Sequence, residues 1–291
     1  MLVFCWPLGT RLQWLGKFSY LGGVISDFTT YFVYVTDILL VLTIGFWLVD
    51  LLVKFWKYED WDDWSLNPWQ GLVVIFLLGL GSWGLYSGVW AMIGSIAWYK
   101  GIRLMAMALL FVYLVLVVGK NRQLQRDSWL MGLTTLSIQA IWGIAQYVKQ
   151  SGFGLWQLGE SILGKAVPGV AKLDVAGDKI VRAYGSLPHA NLFGALMLMG
   201  VILILMVVLN REKYNNFQFF PSRGSAAADN FQTKNVGAEN FLPAIWIKFI
   251  LGVLLGLFLV GMLVSYSRSV WVAGGIIMVG VVVEIIRRGE V

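Results

Sequence analysis

From Leu192 to Leu209 the chain reads LFGALMLMGVILILMVVL, eighteen residues without a charge. A run of that length matches the roughly 20 residues with which a helix crosses about 30 Å of hydrocarbon. Phe249 to Ser265 is a second run of the same kind. Composition agrees: 58% of the 291 residues are apolar and 13% charged, with mean hydropathy +0.74, where soluble domains carry about 25% charged residues. A water-soluble globule is excluded, and the fold expected is an all-α polytopic membrane protein.

Seven candidate spans follow along the chain: Tyr34 to Val53, Gly71 to Trp90, Gly101 to Val118, Trp129 to Val148, Asn191 to Leu209, Pro243 to Val264 and Ser269 to Ile286. Met1 to Leu8 is apolar but too short to span, and no small-residue cleavage site follows it. Alternation of the spans puts Lys54, Lys57, Lys120, Arg122, Arg126, the Arg211 to Lys248 stretch and Arg287-Arg288 on one side. That side holds 12 of the 22 basic residues, so the positive-inside bias lives in the short connectors, and this side is expected to be cytoplasmic. The 33 glycines and 15 tryptophans suit close helix packing and headgroup-level anchoring.

The whole chain, 1–291, reads as one transmembrane domain with two long connectors. The one over 210–242 is rich in Asn, Gln, Ser and Ala and lacks an apolar period, which reads as a flexible cytoplasmic linker. The one over 149–190 is different. Its GLWQLGESILGK stretch spaces Leu155, Trp156, Leu158, Ile162 and Leu163 as a short helix along the membrane surface would. VAKLDV-AGD-KIVRAY then reads as two strands around a turn at Gly177, with Leu173 and Val175 on one face and Lys172 and Asp174 on the other.

Cys5 and His189 are the only residues of their types, so neither a disulfide within the chain nor a protein-only His/Cys zinc site is available. The formal charge of +6 is read as loops facing anionic headgroups, since no nucleic-acid recognition motif accompanies it. Chemistry is expected instead where two helices begin on the outer side. RAYGSLPHANLFG leads into the fifth span, with Asn191 as its cap, and SYSRSVW joins the sixth span to the seventh, with Ser267 as cap and Arg268 in the first turn. Two helix N-termini, Arg182, Arg268 and several hydroxyls would then converge as an anion site, with phosphate or pyrophosphate the polyanion at hand. For Arg268 the bland alternative is snorkelling to the interface. His189 is either a general base toward a sugar hydroxyl or a polar helix-start residue. Asp37 is expected to cap the first span or to pair with an arginine of the external site, and Glu284 to pair with Arg287 or Arg288.

These motifs resemble the bacterial O-antigen ligase and Wzy-type polymerase superfamily, whose pattern runs approximately R-x-x-G-T-x-x-H-P-N before one span and S-R-S/G-x-W before another. The opening WPLGTRLQWLG, YVTDILL and GLWQLGESILG…GVAK are similar to members of that family as well. Ser186 stands where the family has Thr and Ala190 where it has Pro, and members continue past the last helix here into a large external loop bearing a further histidine. The resemblance implies transfer of a glycan, without metal or cofactor, from undecaprenyl pyrophosphate to a hydroxyl on lipid A core, another glycan or a protein, at the periplasmic face of the inner membrane. It implies pyrophosphate contacts from Arg182 and Arg268, with Tyr184, Asn191 and Ser267 beside them and His189 as candidate catalytic residue. A polymerase, a transporter or flippase, and an inactive truncated copy are the alternatives. Against a transporter stand the absence of an internal repeat and of paired broken spans.

Overall fold

The computed structural model describes residues 9–16, 19–21, 24–25, 29–57, 66–209 and 244–287. The linker over 210–242 and residues 1–8 lie outside them. The described residues are mostly helical, with seven α-helices among them, and the chain divides into two compact units, Met1–Met131 and Gly132–Val291.

In the first unit, strands β1 (Arg11–Trp14) and β4 (Tyr31–Tyr34) pair antiparallel, as do β2 (Tyr20–Leu21) and β3 (Val24–Ile25). The sequence reading contained no strands here. Helix α1 (Val35–Trp56) follows β4 directly, then α2 (Pro68–Tyr86) and α3 (Gly94–Tyr113), which runs on as a π-helix over Leu114–Val118. Asn67 caps α2 by accepting the Gln70 N–H at 2.8 Å, with Pro68 opening the helix. The closest approach of α2 to α3 is at Gly84 and Gly101, where a Cβ on Gly101 would lie 2.8 Å from the Gly84 carbonyl. Only glycine permits that contact.

Asp37 both caps and pairs. One carboxylate oxygen accepts the Tyr34 N–H at 3.0 Å, and the other lies 3.1 Å from Arg103 of α3. The arginine it meets is therefore not one of the external pair. Arg103 also lies over the rings of Tyr34 and Tyr99, and the Tyr99 hydroxyl bonds both backbone groups of Phe32. The β1–β4 pair is thus anchored to α3 by directed contacts.

The second unit takes in most of α4 (Arg122–Lys149), the 150–189 connector, α5 (Ala190–Leu209), α6 (Ala244–Val264) and α7 (Arg268–Arg287). Its core is tight around Phe193, Met197, Ile204 and Phe258, each 1% exposed or less. A Cβ on Gly143 would collide with the Phe193 ring, and one on Gly261 would sit 2.8 Å from Met197 Sδ. Glu284 pairs with Arg287 at 3.3 Å, as its spacing implies.

Four helical segments are long and apolar enough to cross a membrane: Val35–Trp56, Pro68–Val89, Gly94–Val118 and Ala190–Val208. Helices α4, α6 and α7 occupy the places of the other three expected spans. The apolar stretch of α6 is Lys248–Val264, and α4 is diluted by Thr134, Thr135, Ser137, Gln139 and Gln146.

In the connector, β5 (Lys172–Val175) and β6 (Asp178–Val181) form the expected hairpin, joined by Ala176 at φ 52 and Gly177 at φ 86. Two consecutive positive φ values suit a two-residue turn matched to strand twist. Leu173 is half-buried but Val175 is 51% exposed, so the apolar face covers only the base of the hairpin. The short helix expected over 155–163 is a single 3-10 turn, Trp156–Leu158. Gly159, at φ 88, ends it, and Glu160 turns back to accept the N–H groups of Phe153 and Leu155.

Candidate anion site

Two glutamines of α4 hold the segment that leads into α5. They lie seven residues apart, two turns along one helix face. Gln139 donates to the Ser186 hydroxyl at 2.8 Å and accepts the Ser186 N–H at 3.0 Å. Gln146, fully buried, accepts the Gly185 N–H at 2.8 Å and the Tyr184 N–H at 3.3 Å. Its amide donates to the Gly185 carbonyl at 2.9 Å and to Glu160 at 2.7 Å. Gly185 sits at φ 62, and a Cβ there would be 2.5 Å from Gln139 Oε1, so this position requires glycine twice over.

Glu160 is 6% exposed and takes four donors: the N–H groups of Phe153 and Leu155, the Gln146 amide and the Trp142 indole. Burial raises its pKa, but the hydrogen bonds from Phe153, Gln146, Leu155 and Trp142 together outweigh it, and the carboxyl ends below its ordinary value. A carboxyl depressed on folding stabilises fully above its unfolded pKa and stops doing so as pH falls through the folded one. Amide exchange at Phe153 and Leu155 is therefore expected to accelerate as pH drops below about 4, after correction for the intrinsic pH dependence of exchange. In Glu160→Gln that acid-induced step should vanish. An identical acid response in the variant would assign the opening to another group.

Directly after this cradle the arginine appears. The Arg182 guanidinium donates from Nε to the Ser265 carbonyl at 2.6 Å and from Nη2 to Asn191 Oδ1 at 2.6 Å. Next to it, the Ala183 N–H bonds the Val264 carbonyl at 3.1 Å. The segment before α5 is thus laced to the turn before α7, three residues from Arg268. Gly194, in the first turns of α5, meets the same turn: its Cβ would lie 2.5 Å from Ser265 Oγ and 3.3 Å from Ser267 Cβ. The starts of α5 and α7 are neighbours.

That turn is strained. Tyr266 adopts φ 48, a conformation bulky residues rarely take, and its hydroxyl lies 3.1 Å from that of Tyr147 on α4. The Trp271 indole closes the turn by donating to the Met262 carbonyl at 3.2 Å. Strain held this way turns the Ser265 carbonyl toward Arg182.

Charge is unbalanced here. Among the described residues no carboxylate pairs with Arg182 or Arg268, whereas Arg103, Arg126 and Arg287 each have one. Burial pulls the Arg182 pKa down, Tyr184 opposes it, and a guanidinium so displaced stays charged. Arg268 is exposed.

The remaining predicted residues divide. His189, not Asn191, occupies the cap position of α5: its carbonyl accepts the Leu192 and Phe193 N–H groups, and its Nδ1 accepts the Asn191 N–H at 3.1 Å. Asn191 is left to hold Arg182. With Nδ1 accepting, the neutral ring carries its proton on Nε2, so in this arrangement His189 offers a donor rather than a base. Tyr184 is 3% exposed and its hydroxyl accepts the Ala171 N–H at 2.6 Å, tying the hairpin down. Ser267 caps α7 in position but is 2% exposed, its hydroxyl 3.3 Å from that of Ser269. Gln139, Gln146, Glu160 and Ser265 are not singled out by the sequence analysis; the seven-residue spacing of Gln139 and Gln146 is a signal that could have found the two glutamines. Among the described residues no group of three or more His, Cys, Asp or Glu side chains clusters as metal ligands would. No family model, curated protein or solved structure matches this chain.

Proposed function

We propose that this protein is a membrane glycosyltransferase that moves a glycan from undecaprenyl pyrophosphate to a hydroxyl acceptor, in the manner of O-antigen ligases, at the periplasmic face of a bacterial inner membrane. The observation that carries the reading is Arg182, half-buried beside the starts of α5 and α7 with no carboxylate paired to it among the described residues, and bonded to Ser265, three residues before the exposed Arg268. A cation withdrawn from water without a counter-charge is unfavourable, and an anion bound beside it offsets that cost.

In the transfer, the bond from the sugar anomeric carbon to the pyrophosphate oxygen breaks and one to the acceptor oxygen forms. The leaving pyrophosphate keeps the electron pair, and the proton of the acceptor hydroxyl passes to the departing pyrophosphate or to water. Negative charge builds on the leaving group, where the guanidinium of Arg182, that of Arg268 and two helix N-termini stabilise it most. Lipid A core, a second glycan and a protein all supply a hydroxyl, and the acceptor decides between ligase and polymerase.

The test is purified protein in proteoliposomes given lipid-linked glycan and acceptor. Release of undecaprenyl pyrophosphate with matching glycan on the acceptor is expected; movement of intact lipid-linked glycan across the bilayer without release would favour a flippase. His189→Asn is expected to keep most of the activity, because asparagine is a good helix cap, whereas His189→Ala loses about 1 kcal/mol of cap stability. Abolished turnover in His189→Asn at unchanged thermal stability would return the imidazole to the chemistry.

A further inference from the structure

We propose that a groove in the Met1–Met131 unit, where α1 and α3 end, binds a phospholipid with a primary-ammonium headgroup. The two helices pack through Leu40, Ile44 and Leu110, and beyond these the Trp47 ring stands edge-on to Tyr113 at 5.8 Å. Past this pair α3 widens into its π-helix, with the Gly119 N–H reaching the Leu114 carbonyl at 2.7 Å. π-Turns inside longer helices concentrate at functional sites. A cavity of about 540 Å³ opens there, within the range of about 300–1,000 Å³ that small ligands occupy.

Its lining is two-faced. Phe46, Leu51 and Leu116 give an apolar wall, and Asp50, Lys54 and Lys120 give a charged rim. Both apolar wall and charged rim lie at the ends of segments long enough to cross a bilayer, where a lipid's acyl chain and headgroup meet. Asp50 and Lys54 pair at 2.9 Å and are each about half exposed. Among the described residues no carboxylate pairs with Lys120. A phosphodiester fits between the two lysines, and an ammonium two carbons away fits Asp50.

Native mass spectrometry of the detergent-solubilised full chain tests this with phosphatidylethanolamine, phosphatidylglycerol and phosphatidylcholine. Phosphatidylethanolamine should be retained about fivefold better than either other lipid, from one added charge contact. Lys120→Ala should lower retention of phosphatidylethanolamine and phosphatidylglycerol alike by about fivefold. Asp50→Asn should lower phosphatidylethanolamine alone and leave phosphatidylglycerol unchanged or raised, a selective shift that loss of fold would not produce. Phosphatidylglycerol retained at least as well as phosphatidylethanolamine by the unmodified chain would overturn the proposal. So would an Asp50→Asn ratio equal to that of the unmodified chain. Displacement of lipid by soluble phosphoethanolamine at equal concentration would instead identify a site for the free headgroup. Should a variant misfold, the ranking of lipids on the unmodified chain still decides.

Discussion

Arg268→Ala is expected to reduce release of undecaprenyl pyrophosphate by about a hundredfold or more, the scale on which losing one transition-state donor acts, while thermal stability stays unchanged. Arg268 is exposed and has no partner among the described residues, so nothing in the fold depends on its guanidinium. Arg182→Ala should abolish turnover to a similar degree but also loosen the protein, because Arg182 ties Asn191 to the Ser265 carbonyl. Lysine at either position should rescue poorly, since its single ammonium lacks the fork that grips two oxygens. Each variant is read in two assays, pyrophosphate release and unfolding in detergent. Normal release from Arg268→Ala would reduce that residue to an interface anchor and remove half of the proposed anion site.

Gln146→Leu carries the largest expected effect on stability. The side chain makes four hydrogen bonds in a fully buried position, and leucine makes none. The Gly185 N–H and carbonyl, and the Tyr184 N–H, would be stranded, and buried groups left unpaired cost about 1–3 kcal/mol each. A loss of roughly 3–6 kcal/mol is expected, seen as a fall in the thermal midpoint and as early proteolysis between 150 and 189. Gln139→Leu, which removes two hydrogen bonds to Ser186, should fall between Gln146→Leu and the unmodified chain. Equal midpoints for the Gln146 variant and the unmodified chain would show that water substitutes for the glutamine.

Helices were legible because apolar runs of fixed length leave few alternatives in lipid, and the hairpin because Ala-Gly-Asp between short alternating strands asks for a turn with positive φ. The nearness of Arg182 to the turn before Arg268 was legible in a weaker sense: that turn is too short to separate α6 from α7, and the segment bearing Arg182 enters α5 at the same level. What escaped the sequence is instructive. The spacing of Leu155, Trp156 and Leu158 has a helical period, yet Gly159 in the left-handed region stops the turn, and the buried Glu160 ties back to the Phe153 and Leu155 N–H groups. Asparagine outranks histidine as a cap in general, but with Arg182 drawing on Asn191 Oδ1, the cap passes to His189. The β1–β4 pair escaped because its strands are separated by sixteen residues, and nothing in either alone names its partner.

The Asp37–Arg103 pair bears on how the first unit moves. Leu40, Ile44 and Leu110 form an aliphatic contact that has no directed bond to resist a slide of α1 along α3 by one turn, about 5.4 Å. Such a slide would separate the carboxylate from the guanidinium and carry Phe32 off the Tyr99 hydroxyl. The polar contacts at the top therefore act as a detent, indexing two greasy rods that could otherwise piston past each other.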